Sequence, residues 1–573
     1  MKCFSRTVVS VLLPFVLSGL LFPSVSLAKY DPAKDYQEIP AIVKQFPAPS
    51  LIELGTPAFN KDKTDFTSQQ EMEKFIDDLS KTSNTLRVKQ MGLSQQGKSI
   101  PLLVFSDVQS ASPEILLKNG KPTVLIIALQ HGNEPAPGEA ALAYAKSLAE
   151  DKEGDVLSRV NVLIIPRANP DGAESFSRDL ANGINLNRDH LLLSTPESRA
   201  IAQVFIQYQP DVVLDGHEYS VAGRWVEKYG AVQRYDAMLQ QATTNNLPSS
   251  LTKMMDKPYR ESLVSTFETN GLSHSWYYTT DKLDKQNKTL SMGGIEADTL
   301  RNIAGLRNSV SFLLENRGVG LGKAHFARRV YTQFLAMQTM VKTSAKNSVD
   351  LLNNGQEIRR DIATQAGQGA IVVKGEMTPE KRTISMIDAK TADGIKVNAD
   401  WRSALSIMPV ITRARPYAYL LAPTEKKAVQ NLQALGIEVY RVVQPQKVKV
   451  QQYTLTDRNA SSKKDVTGSV GQKGNQMVQV TTRIDGRELE LSAGYYYIPL
   501  NQPLANLTIA ALEPETQSSF VANGIISLPK VKTEKKKTKA KAKSQATNAE
   551  VTMPALPLYR LAERADISLV LAE

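Results

Sequence analysis

Short apolar runs punctuate the N-terminal part of the chain at 100–105, 123–129, 161–166, 211–214 and 309–314. Each has the length of a buried strand. Between them apolar positions recur at three- and four-residue steps. Met72, Phe75, Ile76 and Leu79 do so behind polar Thr67 and Ser68, and the same spacing returns over 138–150, 196–208 and 324–344. That spacing gives a helix one apolar face. Alternation of buried strands with amphipathic helices predicts an α/β fold, a sheet covered by helices, over 65–345.

The texture changes on either side. Residues 29–64 are Pro-rich and lack periodicity, as an extended leader would. Residues 346–370 are polar with Gln and Gly, the composition of a linker. Beyond it, 371–573 carries strand-like runs at 370–373, 417–421, 477–482 and 495–499, and a helical stretch at 426–435 ending at Gly436. A last strand-like run covers 556–560. A smaller, mixed or β-rich C-terminal region is expected.

Composition adds two constraints. Lys2 and Arg6 precede a mostly apolar stretch at 8–21, and Ser26-Leu27-Ala28 offers small residues for cleavage. With Ser10, Pro14 and Ser18 interrupting it, residues 1–28 read as a secretory signal peptide rather than a membrane span. The chain is therefore expected to be exported, periplasmic or secreted. Cleavage would remove Cys3, the only cysteine, and leave packing to stabilise the mature chain. The net charge of +11 is local. Lys2 and Arg6 supply two of it and the eight lysines of 530–543, against Glu534, a further seven, which leaves +2 for the rest. A broad basic face for nucleic acid is excluded. The lysine run lies in an insert, 530–550, expected to be disordered, and reads as a solvated loop or a contact to an anionic cell wall or envelope.

Candidate chemistry gathers where the apolar runs stop. The run 123–129 gives way to His131 and Glu134, and 161–166 leads into Arg167-Ala168-Asn169-Pro170-Asp171-Gly172. The run 211–214 ends at Asp215-Gly216-His217-Glu218, and 309–314 ends at Glu315-Asn316-Arg317. In open α/β sheets, sites form outside the carboxyl ends of strands. A catalytic zinc takes three protein ligands, often two histidines and a carboxylate, and keeps a position open. His131, Glu134 and His217 supply that set in a chain with five histidines. The HExxH helix and its inverse do not fit, because Val221 and Pro135 occupy the required positions.

His131-x-x-Glu134, Asn169-Pro170-Asp171-Gly172, Asn187-Arg188, the His217 motif and the late Glu315, taken in that order, resemble the zinc carboxypeptidase (carboxypeptidase A-like) family. The resemblance covers about 67–345, including the segment 91–102. It implies a mixed, mainly parallel sheet flanked by helices, and one zinc ion per chain on His131, Glu134 and His217. It implies Glu315 as general base and later acid, Arg178 as the cation for the oxyanion, and Asn187 with Arg188 as the grip on a terminal carboxylate. The activity implied is a metallocarboxypeptidase acting on peptides with a free C-terminal carboxylate. Two positions depart from the family. Asn185 stands where an Asp orients the first zinc histidine, with Asp189 as a nearby substitute. No tyrosine lies between Tyr278 and Glu315, which leaves Tyr277, Tyr278 or His274 to cover the substrate. Arg301 or Arg307 would meet an acidic substrate side chain. The alternatives are an amidase or deacylase acting on cell-wall peptides or N-acyl amino acids, and a non-catalytic wall-binding protein. The Asn-Pro-Asp-Gly turn and the late Glu315 argue against a deacylase, and retention of the whole constellation argues against a binding protein.

Overall fold

A computed structural model describes residues 29–49, 54–108, 110–281, 284–468, 470, 476–529 and 554–572. The signal-peptide pattern and the lysine insert lie outside these residues.

Eight strands form the main sheet: β1 (Leu86–Leu93), β2 (Ser99–Phe105), β3 (Thr123–Ile127), β4 (Asn161–Ile165), β5 (Val212–Ser220), β6 (Ala237–Gln241), β7 (His274–Trp276) and β8 (Val310–Val319). Their order is β1-β2-β4-β3-β5-β8-β6-β7. The middle four, β4, β3, β5 and β8, run parallel. Antiparallel pairs flank them on both sides, so the sheet is mixed. Every residue of β3 and β4 is buried, as expected of parallel strands covered on both faces. Alternate residues divide between two cores. Val124 and Ile126 face helices α1 (Gln69–Thr82), α2 (Pro135–Ala149) and α4 (Phe326–Lys346). Leu125 and Ile127 face α3 (Pro196–Tyr208) and the Leu300–Leu306 helix. Ser68 starts α1 through a capping box with Glu71, which satisfies backbone donors at its first turn.

Strand β5 does not stop at Leu214, where its apolar run does. It continues to Ser220 with Asp215, His217 and Glu218 buried. Strand β8 likewise runs past Glu315 and pairs with β5 so that Glu315 lies opposite His217. Burying such groups is costly unless each is partnered. Asp215 and His217 are partnered by each other and by the amides of Gln130 and Asn187, and Glu218 by Arg329.

The C-terminal part differs more from expectation. The stretch read as a linker holds α5 (Ser348–Thr364), whose Leu351, Ile358 and Ile362 are buried. Its stripe is sparse among polar residues, so composition concealed a packed helix. The longest strands, β9 (Ala370–Asp388) and β10 (Gly394–Ala414), form a hairpin. Only 370–373 of it was legible, because most of its positions are exposed or half-exposed and polar. The hairpin reaches back to the α/β region, where Ile387 pairs with Val232 and Trp401 with Leu290. A seven-stranded antiparallel sheet follows, including β11 (Gln446–Ser462) and β12 (Gln476–Leu491). Below it the buried Glu513 carboxylate accepts from Arg413 Nη1 (2.7 Å) and from the hydroxyls of Tyr419 (2.6 Å) and Tyr453 (2.7 Å).

The leader is short turns rather than continuous extension, and it is anchored. Glu38 pairs with Arg317 and with His325 Nε2 (2.9 Å), and Ile42 and Phe46 pack in the same apolar cluster as Trp225 and Trp401.

Candidate metal centre and active site

His131 leaves β3 on a tight loop, and Glu134 is the residue immediately before α2, with Pro135 in its first turn. The loop is braced from the next strand. Ala168 and Asn169 donate their backbone N–H groups to the carbonyls of Ala128 and Leu129 (3.0 Å each), and Asn169 Nδ2 reaches the Gln130 carbonyl (3.2 Å). The Asn-Pro-Asp-Gly turn therefore fixes the loop that carries His131. Gly132 is required there, since a Cβ on it would lie 1.9 Å from the Gly172 carbonyl carbon. Asp171 of the same turn holds Lys98 Nζ (2.9 Å) and Ser94 Oγ (2.9 Å), which docks the segment 91–102.

His131, Glu134 and His217 converge. His131 Nδ1 is 2.8 Å from Glu134 Oε1, and His217 Nδ1 is 2.9 Å from Glu134 Oε2 and 3.1 Å from His131 Nδ1. Their ligand atoms all lie within 4.8 Å of one another, in full burial. The outward ring nitrogens are held too. His131 Nε2 lies 3.1 Å from Asn185 Oδ1, and His217 Nε2 lies 2.8 Å from Asp215 Oδ1. Such outer partners fix the tautomer and turn the other nitrogen's lone pair inward. Two imidazole nitrogens and a carboxylate pointing at one place fit a borderline cation such as zinc.

Electrostatics agree with a site shaped for a cation. Burial lowers the pKa of His131 to about 4, with Arg178 adding to the effect. Burial opposes the charged form of His217 as well, but Asp215 and Glu134 outweigh it and raise its pKa to about 10. Glu134 stays well below the ordinary carboxylate range, because both histidines overcome its burial. Glu315 moves the other way: burial first, then the Glu134 charge, raise its pKa. Its Oε2 is buried and has no hydrogen-bond partner among the described residues.

Glu315, Arg178 and Tyr277 line one cavity of about 460 Å³ beside this centre. Arg178 Nη1 donates to Glu134 Oε1 at 2.8 Å. Of the three residues left to cover the substrate, Tyr277 and Tyr278 reach this cavity. The hydroxyl of Tyr278 is tied to Gln233 Oε1 (2.6 Å), and His274 pairs with Glu268 (3.2 Å) away from it.

Several of the expected residues lie away from this cavity. Asp189 is no substitute for Asn185, because its carboxylate accepts from Ser194, Thr195 and Ser198 near the start of α3. Asn187 does not face the cavity. Its Oδ1 accepts the Leu300 N–H (2.8 Å), and its Nδ2 lies 2.9 Å from His217 Nε2 and 3.3 Å from Asp215 Oδ2. Its amide thus meets His217 and Asp215. Arg188 Nη2 is paired with Asp465 (2.8 Å), and its Nη1 donates to the Asn187 carbonyl (2.7 Å). Arg301 is buried and donates to the Gly294 carbonyl, behind the cavity. Arg307 packs over Phe205 and donates to the Leu435 carbonyl (2.8 Å), outside this cavity.

Two residues that the motifs did not assign matter here. Asp215 orients His217, and its position two residues earlier on the same strand face was a readable signal. Asp465 comes from the turn after β11 and meets Arg188 across 277 residues of chain, a contact no local pattern announces.

Similarities to known proteins are found in sequence and in structure. A zinc carboxypeptidase family model (Peptidase_M14) matches residues 72–300. "Carboxypeptidase 2" of Trichophyton rubrum is 27% identical over 514 residues, spanning 87% of this chain and 93% of its own length. "Carboxypeptidase SOL1" of Arabidopsis thaliana is 27% identical over 234 residues, 37% of this chain and 45% of that protein. The structure of a metallo-carboxypeptidase from Burkholderia cenocepacia aligns with a TM-score of 0.35 and 18% identity over 48% of this chain and 70% of its own. Residues 72–300 thus match the zinc carboxypeptidase family of metal-dependent peptide hydrolases, and these relatives are themselves carboxypeptidases.

Proposed function

We propose that the protein is an exported zinc metallocarboxypeptidase that hydrolyses C-terminal peptide bonds, with Glu315 as general base and acid and Arg178 as the cation facing the oxyanion. The observation that carries this reading is the convergence of His131, Glu134 and His217 beside a cavity that Glu315 and Arg178 also line. One zinc ion held by these three residues would supply Lewis acidity toward water and the scissile carbonyl. Glu315 takes the proton of the attacking water and later gives it to the leaving amine. Its dry setting raises its affinity for that proton, and its unpartnered Oε2 leaves an oxygen free to hold it. The Arg178 side chain is half-exposed and touches the site through Glu134, a position from which a fixed positive charge stabilises negative charge developing on the carbonyl oxygen. Export rests on the pattern of residues 1–28.

The test is incubation of the zinc-loaded protein with mixed peptides, short cell-wall peptides and N-acyl amino acids, with products identified by mass spectrometry. Loss of single C-terminal residues is expected, stopped by a chelator and by Glu315→Gln. Internal cleavage, or activity that survives chelation, would overturn the reading. Conversion of N-acyl amino acids without peptide trimming would replace it with a deacylase.

A further inference from the structure

The residue expected to grip a substrate carboxylate, Arg188, is already matched. Asp465 lies on its Nη2 at 2.8 Å, and the other carboxylate oxygen of Asp465 is held by the N–H (2.8 Å) and hydroxyl (2.7 Å) of Thr467. The Arg188 charge holds Asp465 below its ordinary pKa against the effect of burial, so the carboxylate stays ionised. Asp465 and Thr467 line the cavity that Glu315 lines, whereas Arg188 does not. An aspartate supplied by the C-terminal region thus stands between the expected clamp and the substrate space.

A different guanidinium faces that space. Arg224, the first residue of the short Arg224–Tyr229 helix, lines the cavity with Glu315, Arg178 and Tyr277. Among the described residues its one side-chain hydrogen bond is from Nη2 to Thr279 Oγ1 (2.7 Å), and its buried Nε has no partner. Burial lowers its pKa, against the opposing pull of Tyr277, Asp465 and Glu315, none of which forms an ion pair with it among the described residues. A guanidinium held in a partly dry cavity is costly to leave unpaired. Its planar fork matches a carboxylate better than any neutral group.

We infer that Arg224, and not Arg188, receives a carboxylate of the residue to be released, and that Asp465 enforces this by occupying Arg188. The inference rests on the carboxypeptidase reading and makes Arg224 a specificity-determining residue. The carboxylate is either the terminal one or that of an acidic side chain, which share this chemistry.

The test is calorimetric binding to the zinc-loaded Glu315→Gln protein, which does not turn the ligand over. The ligands are N-acyl dipeptides ending in alanine, in alanine amide, or in glutamate α-amide. Arg224→Met is expected to weaken the matching carboxylate ligand by about 10- to 100-fold, and Arg224→Lys, which keeps the charge, by much less. Weakening of the alanine acid alone assigns the terminal carboxylate, and weakening of the glutamate α-amide assigns the side chain. Unchanged affinity for both carboxylate ligands overturns the inference, and points to Arg188 taking the anion after displacing Asp465. Equal weakening of all three ligands, the neutral amide included, overturns it in favour of a structural role. Thermal melts and zinc content guard against a misfolded variant. Hydrolysis by the wild-type protein is scored separately, so failure of the catalytic reading and failure of this inference give different results.

Discussion

On the side of the cavity that faces His131 and His217, each ring nitrogen and each Glu134 oxygen has a buried partner, all from the α/β region. On the opposite side, Arg224 Nε and Glu315 Oε2 are buried without one among the described residues, and the wall is completed by Asp465 from the C-terminal region. The first side is rigid because a metal site needs its donors held in place before the ion arrives. In the proposed reaction, substrate and reacting water would supply the partners that the second side lacks. Unsatisfied buried polar atoms are uncommon in folded proteins. Arg224 Nε and Glu315 Oε2 belong to charged groups among several such atoms around this cavity, which also include Asn133 Oδ1, Trp225 Nε1 and Gln233 Nε2.

The contrast can be broken from either side. The largest effect is expected from the metal-facing side: His217→Ala, or chelation of the wild-type protein, should remove both bound zinc and measurable activity. Metal content by mass spectrometry checks the first and restoration by added zinc the second. Next is Glu315→Gln on the other side, expected to lower kcat by about 10³-fold while zinc content is unchanged. Loss of zinc in that variant would show that the two sides are not separable. A smaller effect tests how the two histidines are oriented. Asp215→Asn should weaken zinc binding by about 10- to 100-fold, while Asn185→Asp should strengthen it, because a carboxylate makes the histidine a more basic ligand than an amide does. Competition against a chromophoric chelator measures both, and equal responses of the same sign would show that the oxygen's charge is not what matters.

The smallest effect concerns the leader, which supports the site from outside through Arg317. Burial opposes ionisation of Glu38, but Arg317 and His325 outweigh it and hold its pKa at about 2 against an ordinary 4.5. Because the folded value is depressed, the stabilisation is complete above pH 4.5 and is lost as pH falls through about 2. Its size is on the order of 3 kcal/mol. Glu38→Gln should therefore lower the melting temperature at pH 6, and the gap between variant and wild type should narrow between pH 5 and pH 3. A constant gap would show that the Glu38 charge contributes nothing.

Much of the α/β region was readable because its elements are fully buried. Strands β3 and β4 have no exposed position, so they appear as unbroken apolar runs, and α1 shows its stripe behind a capping serine. The hairpin β9–β10 and the helix α5 were hidden for the opposite reason, since each buries only a minority of its residues. The boundaries of β5 and β8 were misread where polar residues are buried by one another, which no hydrophobicity pattern reports. Within the site, short-range features such as the three-residue spacing of His131 and Glu134 were legible. The environments of Asn187, Arg188 and Arg301 were not, because they depend on what other segments bring to them.

By itself the sequence determined the metal-facing half of this protein: which strands are buried, which residues leave their carboxyl ends, and that these include two histidines and a glutamate with metal-ligand chemistry. Those facts follow from local periodicity and from side-chain chemistry, both of which are written along the chain. Only the tertiary structure decided which arginine faces the substrate, because an ion pair between Arg188 and Asp465 depends on bringing a distant turn within 3 Å. Coulomb attraction acts on distance in space, and sequence separation carries no trace of it.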